Sequence, residues 1–283
     1  MSSGSYWLRR LLVNTIGANE PPALHYRLDV NCVGGGVKLM ELPVVDVISG
    51  TETPVGSGVT GAQRCLVRFP DGTMRAAILK RMEIRAIAAE CFCSMLLRRW
   101  GLNVPEPAIV GDPPTAFACI DVSYPNLLQR MGWSINLPPE VRSVLEHAAA
   151  RLVTSFSQTP LALAADEAIK NLDRNLGNIL WNGNDVAWID HERALGVSNE
   201  LMPDTNKLAN LAMMSGEHDR ISAAAVTASF TLSASAVDDA ERICAAYTDT
   251  TGFSELVSDR LKRLANAVLD RFPRPNDLLE GIK

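Results

Sequence analysis

This 283-residue sequence lacks the short signatures of several common chemistries, and each gap removes a class. The phosphate loop G-x-x-x-x-G-K-[ST] is missing: Gly56 and Gly61 have its spacing, but Ala62 follows where lysine is required. No G-x-S-x-G elbow marks an α/β-hydrolase. Cysteines stand at 32, 65, 91, 93, 119 and 244 without any C-x-x-C, so a zinc ribbon is unsupported. The four histidines (25, 147, 191 and 218) form no H-E-x-x-H. No apolar run approaches the ~18 residues of a membrane span, and no apolar core follows Arg9 and Arg10 as a secretory signal requires. Basic excess is missing too: 27 Lys and Arg against 32 Asp and Glu leave a net charge of −5, which disfavours a nucleic-acid partner. The expectation is a cytoplasmic protein with reduced, mostly buried thiols and no membrane or nucleic-acid partner.

What is present is enough apolar material, 47%, for a full core in one large domain or two small ones. Residues 1–42 read as an N-terminal extension, a docked arm interrupted by Gly34-Gly35-Gly36. Strands are expected at 43–48, 62–69 and 73–80, joined as an antiparallel meander through a glycine-rich stretch and the turn Pro70-Asp71-Gly72. The i, i+3, i+4, i+7 recurrence of Ile84, Ile87, Ala88, Cys91, Phe92, Met95 and Leu96 predicts a helix over 84–100, stopped by Gly101. Strands at 108–110 and 117–121 follow. Near 122–137 the pattern turns helical, with helices over about 138–157 and 161–170. Asn182-Gly183 between two apolar runs predicts a hairpin over 179–190. The remainder reads as helical, closing on the stripe Phe253, Leu256, Val257, Leu261, Leu264 and Val268. The order implies an α+β chain: an antiparallel-sheet part with one helix (43–121), then a larger, mainly helical part (122–283).

The polar residues in this frame fit phosphoryl transfer from ATP. That reaction needs a backbone cradle for phosphates, a cation, metal-holding oxygens and a base near the acceptor. The cradle is the glycine-rich run around Gly58, Thr60, Gly61, Ala62 and Gln63. The cation is Lys80, at the end of the third strand. Glu90 is the sole acidic residue from Ile84 through Pro105, on a helix apolar on nearly every side, so it needs a partner; Lys80 is the candidate. Asp173-x-x-x-x-Asn178 followed by Asp190 supplies a base and two Mg²⁺ ligands. The hairpin returns the chain, bringing Asn178 and Asp190 to the same open end.

With these residues in place, the chain resembles the HipA-like kinases, relatives of the protein kinases and phosphatidylinositol kinases. The resemblance runs from about Val45 to Leu195. It is carried by Val59-Thr60-Gly61-Ala62-Gln63, by Ala89-Glu90 with Trp100-Gly101-Leu102-Asn103-Val104-Pro105-Glu106, by Asn171-Leu172-Asp173-Arg174-Asn175-Leu176-Gly177-Asn178, and by Trp188-Ile189-Asp190-His191. It implies a two-lobed protein-kinase-like fold that binds ATP and Mg²⁺ and phosphorylates a serine or threonine of a protein substrate. Lys80 would contact phosphate, Asp173 would be the base, and Asn178 and Asp190 would hold the metal. Adenine would sit at the hinge near Cys119 and Asp121. Asn175 stands where the family often has histidine, and Asp190-His191-Glu192 where protein kinases have D-F-G. Two other readings use the same residues. In an aminoglycoside-type small-molecule kinase, Asp166, Glu167, Glu192 and Glu200 would form an acidic acceptor pocket; such enzymes usually carry histidine where Asn171 stands. In a pseudokinase interaction module, at least one site residue is commonly lost, and here Lys80, Asp173, Asn178 and Asp190 are all retained.

Overall fold

The computed structural model describes residues 40–55, 61–197 and 203–273. The chain divides at Leu39/Met40, and every element below belongs to the second unit. The expected arm over 1–42 therefore lies almost wholly outside the described residues, as do Gly58, Thr60 and Glu200.

The first part is a sheet of β1 (Val44–Val47), β2 (Thr53–Pro54), β3 (Gln63–Arg68), β4 (Met74–Lys80), β5 (Pro107–Val110) and β6 (Ala116–Ile120). One helix, α1 (Ile84–Arg99), interrupts the strand order. The expected meander is present, since β1 pairs β3 and β3 pairs β4, both antiparallel. It does not stay open. β1 also pairs β5 in parallel, Val44 opposite Ile109, and β5–β6–β4 completes a closed circuit. The purely antiparallel sheet expected from sequence is corrected by this one parallel pairing. Closure removes the edges of β1 and β5 that an open sheet would expose. The inside of a small closed sheet is narrow, and its filling matches: Ala77, Ala108, Ala116, Ala118 and Cys65 alternate inward with Val45, Val67 and Leu79.

Helix α1 is buried all round. Every residue from Ile87 to Leu97 is inaccessible, because the helix lies between β5–β6 on one side and α7 (Ala234–Cys244) on another. It ends as its sequence predicts: Gly101 takes φ +88°, and Leu102 N–H returns to Leu97 O at 3.0 Å.

After Ile120 the chain is helical: α2 (Leu127–Met131), α3 (Pro139–Ser155), α4 (Thr159–Ala168), α5 (Lys207–Ser215), α6 (His218–Ser229), α7, α8 (Phe253–Leu261) and α9 (Leu264–Leu269). The terminal stripe is thus two helices, broken at Lys262–Arg263, with Phe253, Val257, Leu264 and Val268 buried. Between α4 and α5 lies the expected hairpin, β7 (Ile179–Trp181) with β8 (Val186–Trp188), preceded by a 3₁₀ turn over Leu176–Asn178. No single helix among the described residues is long and apolar enough to cross a membrane. The five described cysteines are free thiols.

Candidate active site

Lys80 is the last residue of β4 and is 8% exposed. Its ammonium sits among three carboxylates: Glu90 Oε1 at 2.6 Å, Asp190 Oδ1 at 2.5 Å and Glu192 Oε2 at 3.3 Å. The pairing of Lys80 with Glu90 that sequence anticipated is therefore a direct contact between β4 and α1. Burial by itself would strip the proton from Lys80, but Glu90, Asp190 and Glu192 outweigh it and hold the ammonium charged well above the ordinary lysine range. Burial likewise pushes Glu90 up, and the Lys80 ammonium and His191 outweigh it, holding the carboxyl well below the usual carboxylate range. Glu192 goes the other way: its burial, which Lys80 only partly offsets, leaves its carboxyl raised. His191 is 1% exposed, with Nδ1 3.3 Å from Glu90 Oε2 but without hydrogen-bond geometry at either ring nitrogen.

Of the glycine-rich run, Gly61, Ala62 and Gln63 are described, and register sets Gln63 close to Lys80. Gln63 pairs with Leu79, one residue before Lys80, and Val55 N–H bonds Ala62 O at 2.9 Å, so Val55, Ala62 and Gln63 lie at the Lys80 end of the sheet. Gly61 adopts φ +62°, the left-handed conformation that suits glycine there.

The loop before the hairpin is built around Arg174. This residue is 1% exposed and turned inward. Nε and Nη2 bond the two Asp166 oxygens at 3.0 and 2.9 Å, a bidentate fork. Nη1 bonds Asn178 O at 3.3 Å and Ile189 O at 2.5 Å, tying the loop to both ends of the hairpin. Asn171 completes the frame, giving Nδ2 to Asp166 and accepting Asp173 N–H. Asn175 Oδ1 accepts Gly177 N–H at 2.8 Å, and a Cβ at 177 would meet that oxygen at 2.9 Å, so the turn needs glycine. With the backbone locked, Asn178 Nδ2 bonds Asp173 O at 2.9 Å and leaves the amide oxygen available. Ile189 N–H bonds Asn178 O, so Asn178 and Asp190 do emerge together at the hairpin's open end. Asp190 holds φ +72°, a conformation rare for a side chain with Cβ.

The W-G-L-N-V-P-E turn positions that hairpin. Asn103 Nδ2 bonds Val186 O at 2.6 Å, and Asn103 O accepts Trp188 N–H at 2.9 Å. The fully buried Trp188 gives its indole N–H to Gln158.

Of the anticipated site residues, Lys80, Glu90 and Asp190 touch directly, and Asp173 and Asn178 touch each other and join the first group through Arg174 and Ile189. Cys119 lies on β6 two residues from Phe117, the register partner of Lys80, and Asp121 follows the end of that strand. Burial pushes the Cys119 thiol up to about 12, and the Asp121 carboxylate accepts Arg64 Nε at 2.6 Å. Asp166 and Glu167 do not form an acidic acceptor pocket. Both are 2% exposed, Asp166 bound to Arg174 and Glu167 to Arg260, Arg271 and Asn206. The signal was in the sequence: two carboxylates in the apolar run Leu161–Ile169 are affordable only when paired. Glu192, read from sequence as part of an acidic acceptor pocket, instead faces Lys80, and Arg174, Lys207 (2.5 Å from Asp173) and Arg193 (3.8 Å from Asp173) are neighbours to which the sequence reading gave no role.

No protein-family model matches the chain, and no curated protein matches it in sequence. Solved structures do match. The Shewanella oneidensis MR-1 toxin–antitoxin complex of HipA, HipB and operator DNA aligns over 83% of this chain and 74% of the matched chain, at 11% identity and TM-score 0.51. The Helicobacter pylori proinflammatory kinase CtkA aligns over 82% of this chain and 96% of its own, at 11% identity and TM-score 0.48. The fold is HipA-like.

Proposed function

We propose that this HipA-like fold is a working two-lobed kinase, with residues 43–121 as the smaller lobe and 122–283 as the larger. It would transfer the γ-phosphate of ATP to a serine or threonine of a cytoplasmic protein. The observation that carries this reading is the buried Lys80 ammonium, paired with Glu90 and reaching Asp190 across 110 residues of chain. A buried lysine with three carboxylates is costly as a structural device, because apolar residues of like volume fill such space as well or better. Its retention fits a site that handles polyphosphate.

In this reading the Glu90 carboxylate aims Lys80 at the phosphates, and Gly61, Ala62 and Gln63 belong to the cradle that holds them. The residues present fit a hard divalent cation: the Asn178 amide oxygen and the Asp190 carboxylate are oxygen donors at one hairpin end, with Glu192 near Asp190. Mg²⁺ held there would neutralise phosphate charge. Asp173 accepts the acceptor hydroxyl's proton; the acceptor oxygen bonds the γ-phosphorus, and the bond to ADP breaks with its electron pair leaving on ADP. Adenine would lie by the backbone near Cys119 and Asp121. The small-molecule alternative loses support, since two of its four acidic residues are buried against arginines.

Thermal melting with ATP, with and without Mg²⁺, tests the reading. At a hundred times Kd, Mg²⁺·ATP should stabilise the wild type by about 2.7 kcal/mol, and Asp190→Ala should lose the shift. Asp173→Ala should keep the shift and lose phosphoryl transfer. A wild type whose melting temperature is moved by ATP neither with nor without Mg²⁺ overturns the reading.

A further inference from the structure

Asp173 is held from outside its own motif. Lys207 Nζ donates to Asp173 Oδ1 at 2.5 Å, from 34 residues downstream. The lysine is about one-third exposed, yet its backbone is rigidly mounted. It is the first residue of α5, and its neighbour Asn206, 3% exposed, caps that helix by accepting Leu208 and Ala209 N–H. Asn206 Nδ2 in turn bonds Leu163 O at 3.1 Å and Glu167 Oε1 at 3.3 Å. Arg260 and Arg271 fix Glu167. A buried network thus ends in one lysine aimed at the proposed base.

The loop itself has no cation to offer. Arg174, its one basic residue, is buried and fully engaged with Asp166, Asn178 O and Ile189 O. Lys80 is committed to Glu90, Asp190 and Glu192. Arg193 is the second cation at the base: its Nη1 lies 3.8 Å from Asp173 Oδ2, an ion pair beyond hydrogen-bond reach, whereas Lys207 donates directly to Oδ1. A phosphoryl group approaching the Asp173 carboxylate brings negative charge against negative charge, and transfer is catalysed chiefly by cations placed where that charge develops. An ammonium carries three N–H donors, and Asp173 takes one of Lys207's.

We propose that Lys207 is a catalytic residue of the transfer: one N–H orients Asp173, and the others bind oxygens of the migrating phosphoryl group. The proposal rests on the kinase reading above and adds a residue that no motif of the loop contains. The acceptor oxygen bonds the phosphorus as its proton passes to the Asp173 oxygen not held by Lys207. The phosphorus–oxygen bond to ADP breaks, and ADP keeps the electron pair. Lys207 neither gains nor loses a proton.

The test is ADP formation by the full chain from Mg²⁺·ATP with casein as a generic acceptor, alongside melting with Mg²⁺·ATP. Lys207→Met should keep the wild-type melting shift and an unchanged KM for ATP while kcat falls about 100-fold, the scale of losing one transition-state donor. Lys207→Arg, which restores charge and donors, should recover most of that loss. A Lys207→Met enzyme at wild-type kcat overturns the role, and so does an arginine variant no better than methionine. A wild type that shows the melting shift but forms no ADP overturns the transfer roles of Asp173 and Lys207 together and leaves nucleotide binding standing. A wild type without any melting shift overturns the kinase reading and this proposal with it.

Discussion

The Glu90 carboxylate is 1% exposed and 2.6 Å from Lys80, so its charge is tolerated only as half of a pair. Its folded-state proton affinity is depressed, mainly by the Lys80 ammonium working against burial. A depressed carboxyl contributes stability at pH above its unfolded value, near 4.3, and loses it as pH falls toward the folded value. Glu90→Gln leaves Lys80 without its closest buried partner and should cost about 3 kcal/mol at pH 7 by urea denaturation. The gap from wild type should be constant down to about pH 5 and narrow below about pH 4. A gap that widens on acidification would contradict the pairing. Sequence made this pair legible because a lone acid on an all-apolar helix demands a partner. Arg174 was harder to see: it adjoins Asp173 in a polar loop, where an arginine is ordinarily solvated, and only the packed structure turns it inward onto Asp166.

Among elements, the β7–β8 hairpin is the one whose placement decides the site. Its strands have three residues each and cannot hold an orientation unaided. Asn103 fixes them through the bond to Val186 O, in a turn that sequence marked only by resemblance. Asn103→Ala strands that carbonyl and should lower stability by about 1–2 kcal/mol. It should also weaken the Mg²⁺·ATP melting shift, since Asp190 lies two residues beyond β8. Unchanged nucleotide response in this variant would show that the hairpin is held elsewhere. The hairpin itself was readable from Asn182-Gly183, and α1 from its periodicity, because both signals are local. Closure of the sheet through parallel β1–β5 was not, since Val44 and Ile109 are 65 residues apart and nothing in either strand specifies the other.

At the scale of the whole chain, the final helices are tied to the loop region by Glu167. Arg271 bonds it at 2.6 Å and Arg260 at 3.2 Å, while Arg271 also reaches Asp204, and the Glu167–Asn206 bond passes this order to Lys207. Arg85 ties α1 to the segment before α8, bonding Asp249 O and Thr251 O and stacking 4.0 Å over Phe253. Glu167→Gln leaves two arginines facing a neutral amide and should cost about 3 kcal/mol in urea unfolding, with a single cooperative transition retained. A change below about 0.5 kcal/mol, the scale of a solvated surface residue, would remove Glu167 from the framework.

The sequence by itself determined the elements, because strand alternation, helix periodicity, the Asn-Gly turn and the Gly101 stop act over a few residues. It also singled out Lys80, Glu90, Asp173, Asn178 and Asp190, which follow one another in the order that the proposed phosphoryl transfer uses. Only the tertiary structure decided the partners. It closed the sheet, set Glu192 beside Lys80, turned Arg174, Asp166 and Glu167 from surface candidates into buried pairs, and brought Lys207 to Asp173. The physical reason is range. Backbone propensity is set by near neighbours, whereas the cost of burying a charge is settled by whichever group the fold brings within about 4 Å, at any distance along the chain.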